Sequence, residues 1–422
     1  MALIRAVRGM KDILPPESER WQWVETTARE VFRLYGYREL RLPLLERTEL
    51  FARSIGTDTD IVAKEMYTFI DRHGDSVTLR PEATAQVVRA FLENRLEKGA
   101  GVKKYFLMGP MFRYERPQKG RYRQFYQINC EALGSDAPEL DAEVILMLWE
   151  ILGRLKLSNL RLLVNSLGCP ECQEDFKAKL KLFLFSREGW CPDCLRRREV
   201  NPLRVLDCKS QTCRELLKTA PVLKDSLCEA CSRHYSRVLT LLEQFGIDFE
   251  EQPRLVRGLD YYTRTAFEVT AAALGAQDAV AGGGRYNGLI RELGGPDLPG
   301  FGFAIGEDRL LEVLPEAEGR SADQSVFLAA LGRSALERCL TLVQELRGAG
   351  LAAEMDFDGR SLKAQMSLAD RLGARWVAIL GDRELAAGEI VVRDMKSGSQ
   401  ESIRIMELKS ALKNLAAAEE GN

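Results

Sequence analysis

A short basic stretch between two apolar segments is the first feature of this sequence that suggests chemistry. Residues 111–125 read MFRYERPQKGRYRQF. Their basic members are Arg113, Arg116, Lys119, Arg121 and Arg123. A guanidinium group matches the oxygens of a phosphate, and an aromatic ring offers a stacking surface for a purine base. The stretch therefore predicts a site for a phosphorylated ligand, against the plainer interpretation of a solvated charged surface.

The same stretch is predicted to form two neighbouring antiparallel strands, residues 111–115 and 121–128. Side chains alternate between the two faces of each strand, so one face collects charged and aromatic groups. Its members are Arg113, Glu115, Arg121, Arg123, Phe125 and Gln127. The turn between the strands, with Arg116, Gln118 and Lys119, is predicted to project as a mobile basic tip toward a second, anionic ligand.

The clustering and spacing of the cysteines predict a metal site. Eight of the ten lie between Cys169 and Cys231, and six of these form three C-x-x-C pairs. This clustering favours metal binding in a reducing compartment over a disulfide framework. Two such pairs complete a tetrahedral structural Zn²⁺ site. The predicted ligands are Cys191, Cys194, Cys228 and Cys231. The alternative is a set of reduced, partly buried thiols, because nothing in the other motifs requires a metal here.

The glycine-rich segment GFGFAIG, residues 300–306, does not fit the G-x-G-x-x-G pattern of a dinucleotide site. It is better interpreted as a strand whose missing side chains let a flat ligand lie against the backbone. A following helix would carry Arg309 toward a phosphate. The two histidines, His73 and His234, are poor catalytic candidates, and His73 lies in a polar turn.

Charge and hydropathy argue against nucleic-acid binding through overall charge and against a membrane-spanning or secreted protein. The 422 residues carry 60 basic and 62 acidic side chains, a formal charge of -2, so a nucleic-acid partner must be met by local basic patches. No apolar run approaches the roughly 18 residues that cross a bilayer, and the first residues lack the pattern of a signal peptide. We expect a cytoplasmic protein with no membrane contact.

Apolar periodicity predicts the elements that position these residues. Helices are expected after Pro16 up to Gly36, from Pro81 through PEATAQVVRAFLENRL, and over ELDAEVILMLWEIL. Strands are expected in YRELRLPLL, twice within residues 66–79, in the two apolar segments around the basic turn, and in the glycine-rich segments after residue 254. These elements assemble most simply into a mostly antiparallel sheet flanked by helices.

Composition also predicts the domain organisation. The first domain spans residues 1–320 and is interrupted by a cysteine-rich, charged insertion at about 168–236. A polar linker, residues 316–325, precedes a second domain, residues 325–422. In that segment, strand candidates such as SVFLAALG and RWVAILG alternate with helical runs, which indicates a small α/β domain.

Several longer segments resemble one family. FRYERPQKGRYRQFYQ is similar to motif 2 of the class II aminoacyl-tRNA synthetases, GFGFAIGEDRL to motif 3, and YRELRLPLLE to motif 1, the dimer-interface element. Within that class, LVRGLDYYTRTAFE and AGGGRYNGL resemble the signature segments of the histidyl-tRNA synthetases, and TLRPEATA resembles their amino-acid-binding turn. RSLKAQMSLADRLGARWVAILGDREL resembles their anticodon-binding domain. The resemblance covers nearly the whole chain outside residues 169–235.

The resemblance implies an α+β fold: a class II antiparallel sheet flanked by helices, the insertion, and a C-terminal α/β anticodon-binding domain. It implies a homodimeric ligase that joins L-histidine to ATP, with Mg²⁺, releases pyrophosphate, and transfers histidine to the 3′ end of tRNA(His). Such a reaction needs no protein nucleophile, because alignment and charge neutralisation by arginines and Mg²⁺ suffice.

The resemblance also implies roles for individual residues. Arg113 and Arg257 would be the catalytic pair that grips the reacting carboxylate and the α-phosphate. The residues expected to bind histidine are Glu82, Thr84, Gln127, Glu131, Arg257, Tyr262 and Tyr286. The residues expected to bind ATP are Arg113, Glu115, Arg121, Phe125 and Arg309. The residues expected to approach the acceptor end of the tRNA are Arg116, Gln118 and Arg123.

Two other functions remain open. The regulatory subunit of ATP phosphoribosyltransferase resembles this core but is a binding module without aminoacylation. It would be expected to lack the C-terminal domain and to have lost features such as Arg257. A class II synthetase for threonine, proline or glycine would share the type of anticodon domain but not RGLDYYTRTAFE. Glu131 and Tyr262, which can hydrogen-bond an imidazole, favour histidine.

Overall fold

The computed structural model describes residues 3–56, 59–315 and 325–420, without the side chains of residues 275–277 and 417–420. The chain divides into two units, Met1–Gly319 and Arg320–Asn422. Apart from Ser325, the predicted linker lies outside the described residues. None of the described helices combines the length and the apolar character needed to cross a bilayer.

The described strands of the first unit form a larger and a smaller sheet. They are β1 (Arg38–Glu39), β2 (Leu45–Arg47), β3 (Tyr67–Ile70), β4 (Ser76–Leu79), β5 (Lys103–Phe112), β6 (Gln124–Leu133), β7 (Leu160–Ser166), β8 (Phe249–Glu251), β9 (Thr263–Ala271), β10 (Ala279–Arg285) and β11 (Gly300–Gly306). The larger sheet has the order β1-β5-β6-β11-β10-β9-β7-β8, and the smaller has the order β2-β4-β3. All neighbouring pairs are antiparallel except β1/β5 and β7/β8 at the two edges. The predicted, mostly antiparallel sheet is confirmed.

The helices of the first unit connect and cover these strands. They are α1 (Glu17–Leu34), α2 (Thr48–Ile55), α3 (Thr84–Glu93), α4 (Pro138–Arg154), α5 (Pro170–Phe185), α6 (Pro192–Val200), α7 (Gln211–Leu217), α8 (Glu229–Gln244), α9 (Leu289–Glu292) and α10 (Glu307–Val313). Short 3₁₀ or π turns occur at Ile61–Glu65, Pro202–Val205, Leu223–Ser226 and Ala272–Gln277. The segment from α5 to the start of α8 forms the insertion, and it has a core of its own.

The main core lies between one face of the larger sheet and helices α1, α4, α8 and α10. In α4 the fully buried residues recur three and four apart, as at Val144, Leu148 and Ile151, which is the spacing of one helix face. The ring of Phe32 on α1 stacks on that of Phe106 on β5 with centroids 4.5 Å apart. Each fully buried Leu or Ile contributes about 1.5–3 kcal/mol, so this face anchors the sheet.

Three buried side chains join the sheet to α4 and α8. Asp141 on α4 and Arg285 at the end of β10 are fully buried and form an ion pair. The other carboxylate oxygen of Asp141 lies 2.8 Å from Nε2 of His234 on α8. Because Nδ1 of His234 faces the Arg264 guanidinium at 3.4 Å, we assign the proton to Nε2. The remaining histidine, His73, is exposed in the turn between β3 and β4.

Three predicted elements have different boundaries in the structure. The strands around the basic turn end at Phe112 and resume at Gln124, so residues 113–123 form a loop rather than the ends of two strands. Helix α3 begins at Thr84 rather than at Pro81, because the Glu82 carboxylate accepts the N–H groups of Thr84 and Ala85 and caps the helix. The predicted strand in YRELRLPLL is also shorter, since only β1 and the start of β2 pair.

The second unit is a mixed sheet with helices on both faces. Its strands are β12 (Val326–Leu331), β13 (Ala353–Met355), β14 (Trp376–Gly381), β15 (Glu389–Asp394) and β16 (Gln400–Arg404). Its helices are α11 (Arg333–Arg347), α12 (Leu362–Arg371), α13 (Asp382–Ala387) and α14 (Leu408–Glu420), with a 3₁₀ turn at Ile405–Glu407. The strand order is β13-β12-β14-β15-β16; β13, β12 and β14 are parallel, and the last two pairs are antiparallel. The predicted alternation of strands and helices is confirmed.

Replacing Asp141 by Asn is expected to lower the free energy of unfolding by roughly 3–5 kcal/mol, because Arg285 would lose the charge that compensates it in the interior. Urea unfolding followed by circular dichroism measures the change. Glu139→Gln is the matched control: it lies on the same helix, and its pair with Arg237 is exposed, where ion pairs contribute about 0–1 kcal/mol. Equal, small effects of both substitutions would contradict the role given to the buried pair.

Candidate active site

A cleft of about 350 Å³ opens on the face of β6 that does not pack into the main core. The alternation of β6 decides which side chains reach it: Ile128 and Cys130 join the core, whereas Gln127, Asn129 and Glu131 line the cleft. Its volume is within the usual range of small-molecule sites. The predicted site residues that line it are Glu82, Thr84, Arg113, Glu115, Arg121, Phe125, Gln127, Glu131, Arg257, Tyr262, Tyr286 and Arg309.

One end of the cleft is built around the buried carboxylate of Glu131. One of its oxygens accepts a hydrogen bond from Oγ1 of Thr84 at 2.6 Å, and the other accepts one from the hydroxyl of Tyr286. Burial raises the pKa of Glu131 to about 8, which favours the protonated form at neutral pH. Each oxygen keeps a further lone pair, so the group can receive an N–H from a ligand.

Two glycines of β11 make room for this end of the cleft. Gly302 on β11 is directly opposite Glu131, and a β-carbon there would collide with the Glu131 carboxylate and the backbone of Cys130. A β-carbon at Gly300 would collide with the ring of Tyr286. The missing side chains of residues 300–306 therefore accommodate protein groups that face the ligand, rather than only a flat ligand as the sequence suggested.

Arg257 lies in the middle of the cleft and is held by Glu268 on β9. Its Nη1 donates to a carboxylate oxygen of Glu268 at 2.7 Å, and its guanidinium lies 5.8 Å from the ring centroid of Tyr262. A β-carbon at Gly282 would lie 2.5 Å from Nη1, so β10 can pass beneath the guanidinium only with glycine there. This arrangement fixes the direction of the guanidinium before a ligand arrives.

Positive charge accumulates at the other end of the cleft. Arg121 pairs with Glu115 at 2.8 Å, whereas the bonds of Arg309 to the described residues go to backbone oxygens, those of Gly120 and Ala279. Arg113 bonds to a backbone oxygen in the same way and lies 5.2 Å from the centroid of Phe125. Burial and the charges of Arg121 and Arg113 lower the pKa of Arg309. A polyanion would relieve this repulsion.

Several buried polar atoms along the cleft have no hydrogen-bond partner among the described residues. They include Oε1 of Gln127, Nδ2 of Asn129, and Nε of Arg121 and of Arg257. Leaving such an atom unpaired costs about 1–3 kcal/mol, so native structures rarely tolerate it without a bound group. Acceptors and donors both occur in this set, as expected for a zwitterionic ligand beside a phosphate.

The three residues predicted to contact a nucleic acid, Arg116, Gln118 and Arg123, lie in the loop of residues 113–123 and do not line the cleft. Arg116 and Gln118 are exposed, and Gln118 pairs with Arg121 in an isolated bridge. Arg123 is not at the tip. Its guanidinium lies 3.8 Å from the ring centroid of Tyr114, and its backbone N–H donates to the carbonyl of Gly9.

The zinc ligands predicted from the sequence are wrong as a set. Two clusters of four thiols occur among the described residues, each with all its sulfurs within 4.8 Å of one another. The first, the outer cluster, comprises Cys169, Cys172, Cys228 and Cys231. The second, the inner cluster, comprises Cys191, Cys194, Cys208 and Cys213. The C-x-x-C pair that begins at Cys228 faces the pair that begins at Cys169, because helices α5 and α8 begin side by side at the base of the insertion. The pair that begins at Cys191 therefore belongs to the other cluster.

Two sequence models match the chain. The model described as Histidyl-tRNA synthetase matches residues 9–173 and 193–310, and the model described as Anticodon binding domain matches residues 325–415. The chain belongs to the histidyl-tRNA synthetase family. The first unit accordingly has the class II synthetase fold, as the motif resemblance implied. The break in the first match, residues 174–192, lies within the insertion.

Relatives in the histidyl-tRNA synthetase family match over nearly the full chain. The histidine–tRNA ligase of Oleidesulfovibrio alaskensis is 53% identical over 96% of this chain and 98% of its own length. That of Syntrophotalea carbinolica is 51% identical over 97% of this chain and 98% of its own length. The crystal structure of the apo histidyl-tRNA synthetase of S. aureus superposes with a TM-score of 0.82, at 36% identity, and covers 97% of this chain and 100% of that one.

The polar residues of the cleft that sequence reasoning missed include Asn129, Tyr261 and Glu268. Asn129 could have been found, because it follows Gln127 and precedes Glu131 in the alternation of one strand. Glu268 pairs with Arg257 only through the folding of β9 and β10, so no local spacing indicates it. Tyr261 packs edge-on against Tyr286 with centroids 5.8 Å apart.

Gly302→Ala is expected to destabilise the chain by roughly 1–3 kcal/mol, because the new β-carbon would force the Glu131 carboxylate and β6 to shift. Gly306→Ala on the same strand is the control, since its β-carbon would meet its nearest neighbour at 3.8 Å, an ordinary contact. Thermal unfolding of the two variants measures the difference. If Gly302→Ala were as stable as Gly306→Ala, the space at residue 302 would not be what holds Glu131 in place.

Proposed function

We propose that this chain is a histidine–tRNA ligase that activates L-histidine with ATP, releases pyrophosphate, and transfers histidine to the 3′ end of tRNA(His). The observation that carries the proposal is one cleft with a buried carboxylate and two hydroxyl partners at one end and a cluster of arginines at the other. The first set suits a nitrogen-rich amino acid, and the second suits a triphosphate. The near-complete match to named histidine–tRNA ligases supports the same activity.

Histidine binds at the Glu131 end of the cleft in this proposal. Glu131 and Tyr262 hydrogen-bond the imidazole, and Tyr286, which holds Glu131, closes the wall of the pocket. The free oxygen of Gln127 is an acceptor for an ammonium group. The groups that hold the α-amino nitrogen are Glu82, Thr84 and Gln127.

Activation places the histidine carboxylate between the two catalytic arginines, Arg113 and Arg257. A carboxylate oxygen attacks the α-phosphorus, the bond to the β,γ-pyrophosphate breaks, and histidyl-adenylate forms. ATP enters as its Mg²⁺ complex, as is general for phosphoryl chemistry. The protein contributes alignment and neutralisation of negative charge, and Glu268 acts as a positioning residue because it holds the Arg257 guanidinium.

The remainder of ATP occupies the arginine-rich end. Arg121 and Arg309 neutralise the outer phosphates, and their present mutual repulsion is relieved when the phosphates bind. Phe125 offers a stacking surface for adenine, and Glu115 contacts the edge of the base. Both line the cleft beside these arginines.

Transfer to tRNA involves the loop of residues 113–123 and the second unit. The exposed side chains of Arg116 and Gln118 approach the acceptor end, where the terminal ribose hydroxyl attacks the adenylate and releases AMP. Arg123 acts at the base of the loop, where it holds the loop against Tyr114. The unit matched by the anticodon-binding model, residues 325–415, binds the anticodon.

A homodimer and a cytoplasmic location complete the proposal. The smaller sheet exposes four large apolar side chains, Leu44, Leu45, Phe69 and Ile70. Leu45 and Phe69 share one face of this sheet and Ile70 lies on the other. Exposed apolar side chains concentrated in so small a sheet are typical of an interface between subunits. None of the ten cysteines forms a disulfide in the described structure, which suits a reducing compartment.

The first test is exchange of labelled pyrophosphate into ATP by the purified chain with each of the twenty amino acids, with Mg²⁺ and without tRNA. We expect exchange with histidine alone. Exchange with another amino acid would overturn the choice of substrate. No exchange from folded protein would overturn the activity and favour the regulatory paralogue.

Arg257→Ala is expected to lower kcat of histidine-dependent exchange roughly 100- to 1,000-fold, the usual cost of losing a preorganised charge. Arg254→Ala is the matched control, because Arg254 lies three residues away, donates to the carbonyls of Lys218 and Ala220, and does not line the cleft. Thermal unfolding of both variants checks that the fold is retained. Near-full activity of folded Arg257→Ala would remove Arg257 from the reaction.

Ile70→Glu is expected to shift the chain from dimer to monomer, because the charge would have to be buried in the proposed interface. Light scattering coupled to size-exclusion chromatography measures the mass. Leu182→Glu is the control, since Leu182 is an exposed apolar residue on the insertion. A wild-type monomer, or a dimer that both variants retain, would contradict the interface.

A further inference from the structure

We propose that the outer and inner clusters of the insertion each bind one Zn²⁺ ion through four cysteine thiolates, giving two zinc ions per chain. The sulfurs of Cys169 and Cys172 are 3.5 Å apart in the outer cluster, and those of Cys191 and Cys208 are 3.8 Å apart in the inner one. Zn–S bonds of about 2.3 Å in a tetrahedron place the sulfurs about 3.8 Å apart. The separations therefore suit a single ion rather than a larger iron–sulfur cluster.

Backbone groups around the sulfurs are arranged to stabilise thiolates. The N–H of Cys228 donates to Sγ of Cys172 at 3.1 Å in the outer cluster. In the inner cluster the N–H of Cys191 donates to Sγ of Cys213 at 3.3 Å, and that of Ser210 donates to Sγ of Cys208 at 3.4 Å. Such contacts delocalise charge from sulfur and orient the ligands, as the outer contacts of metal sites do.

Positive groups next to each cluster offset the charge of four thiolates around a divalent ion. Helices α5, α6 and α8 begin directly after Cys169, Cys191 and Cys228, so their positive ends point at the sulfurs. The charges of Arg264 and Cys231 interact in the outer cluster, as do those of Arg197 and Cys194 in the inner one. Neither cluster is therefore left as an uncompensated buried anion.

The insertion needs such reinforcement because its own core is small. Its buried apolar side chains come from short elements, α5 to α7 and the turns between them. Segments of this size rarely gain enough from burial alone, and structural metals are a common remedy. The inner cluster supplies three of its sulfurs, those of Cys194, Cys208 and Cys213, directly to this core.

Both clusters lie directly behind segments that line the cleft. At the outer cluster, Gln173 donates to the carbonyl of Tyr262 at 3.0 Å, and the Gly168 carbonyl accepts the N–H of Arg264 at 2.7 Å. At the inner cluster, Cys208 stands between Asp207 and Lys209, and both of these line the cleft. The two ions would therefore fix the backbone on two sides of the cleft.

The first experiment measures metal in the intact wild-type chain. Elemental analysis should give two zinc ions per chain, and titration of the native protein with a mercurial thiol reagent should release both ions, detected by a colorimetric zinc indicator. Less than half an ion per chain, with native Cys228 reacting rapidly with a disulfide reagent, would overturn the proposal. Stoichiometric iron instead of zinc would overturn the identity of the metal.

Single substitutions then assign the ions. Cys228→Ala and Cys213→Ala should each retain one zinc, whereas the control Cys339→Ala, in the second unit, should retain two. If a cluster variant keeps both ions, the corresponding site is refuted. Because either variant can fail to fold, the release experiment on the wild-type chain stands by itself.

Hydrogen exchange tests the connection to the cleft without relying on the proposed activity. Loss of the outer ion should raise amide exchange over residues 167–173 and 258–264, and loss of the inner ion should raise it over residues 202–210. Exchange over α1, which lies in the main core, should not change and serves as the internal control. Uniform change over the whole first unit, or none at the cleft segments, would refute the connection.

Discussion

The buried carboxylate of Glu131 imposes the constraint on which the cleft depends. An ionisable group in the middle of a sheet must have hydrogen-bond partners and space, and both come from other strands and helices. Thr84 and Tyr286 supply the partners, and the glycines at 302 and 300 supply the space. The composition of β10 and β11 is thus set by the side chains that lie against them. Their glycines weaken these strands intrinsically, and the flanking helices compensate by burying the opposite face.

Electrostatics in the cleft run against the overall charge of the chain. The protein is slightly acidic as a whole, yet the cleft collects the guanidinium groups of Arg113, Arg121, Arg257 and Arg309. Glu115 and Glu268 balance two of them, and burial together with neighbouring charge lowers the pKa of Arg309. An anion between these guanidinium groups would relieve their mutual repulsion. A site arranged in this way binds its anion without a general attraction for nucleic acid elsewhere on the surface.

Sequence patterns predicted the elements with one buried face, because α4 and β6 each have a single dominant period. Strand alternation also brought Arg113, Glu115, Arg121, Phe125 and Gln127 to one face, and all five line the cleft. Glu82, Glu131, Arg257 and Tyr286, which also line it, came from the motif resemblance and not from spacing. Sequence patterns failed where the outcome depends on contacts between distant segments. The capping of α3 by Glu82, the pairing of Arg257 with Glu268, and the division of the thiols into clusters are all of this kind. A C-x-x-C spacing fixes which two sulfurs are neighbours but not which other pair faces them.

The segment before α1 supports the loop at the arginine-rich end of the cleft. The carbonyl of Gly9 accepts the N–H groups of Arg123 and Gln124, and a β-carbon at Gly9 would collide with the Arg123 side chain. Lys11 reaches Asp308, whose carboxylate also accepts the N–H of Tyr126. The loop that carries the basic tip is therefore hinged on residues that are distant from it in sequence. An affinity tag is therefore better fused after the second unit than before residue 3, because a tag before residue 3 would lie close to the contacts that Gly9 and Lys11 make with this loop and its surroundings.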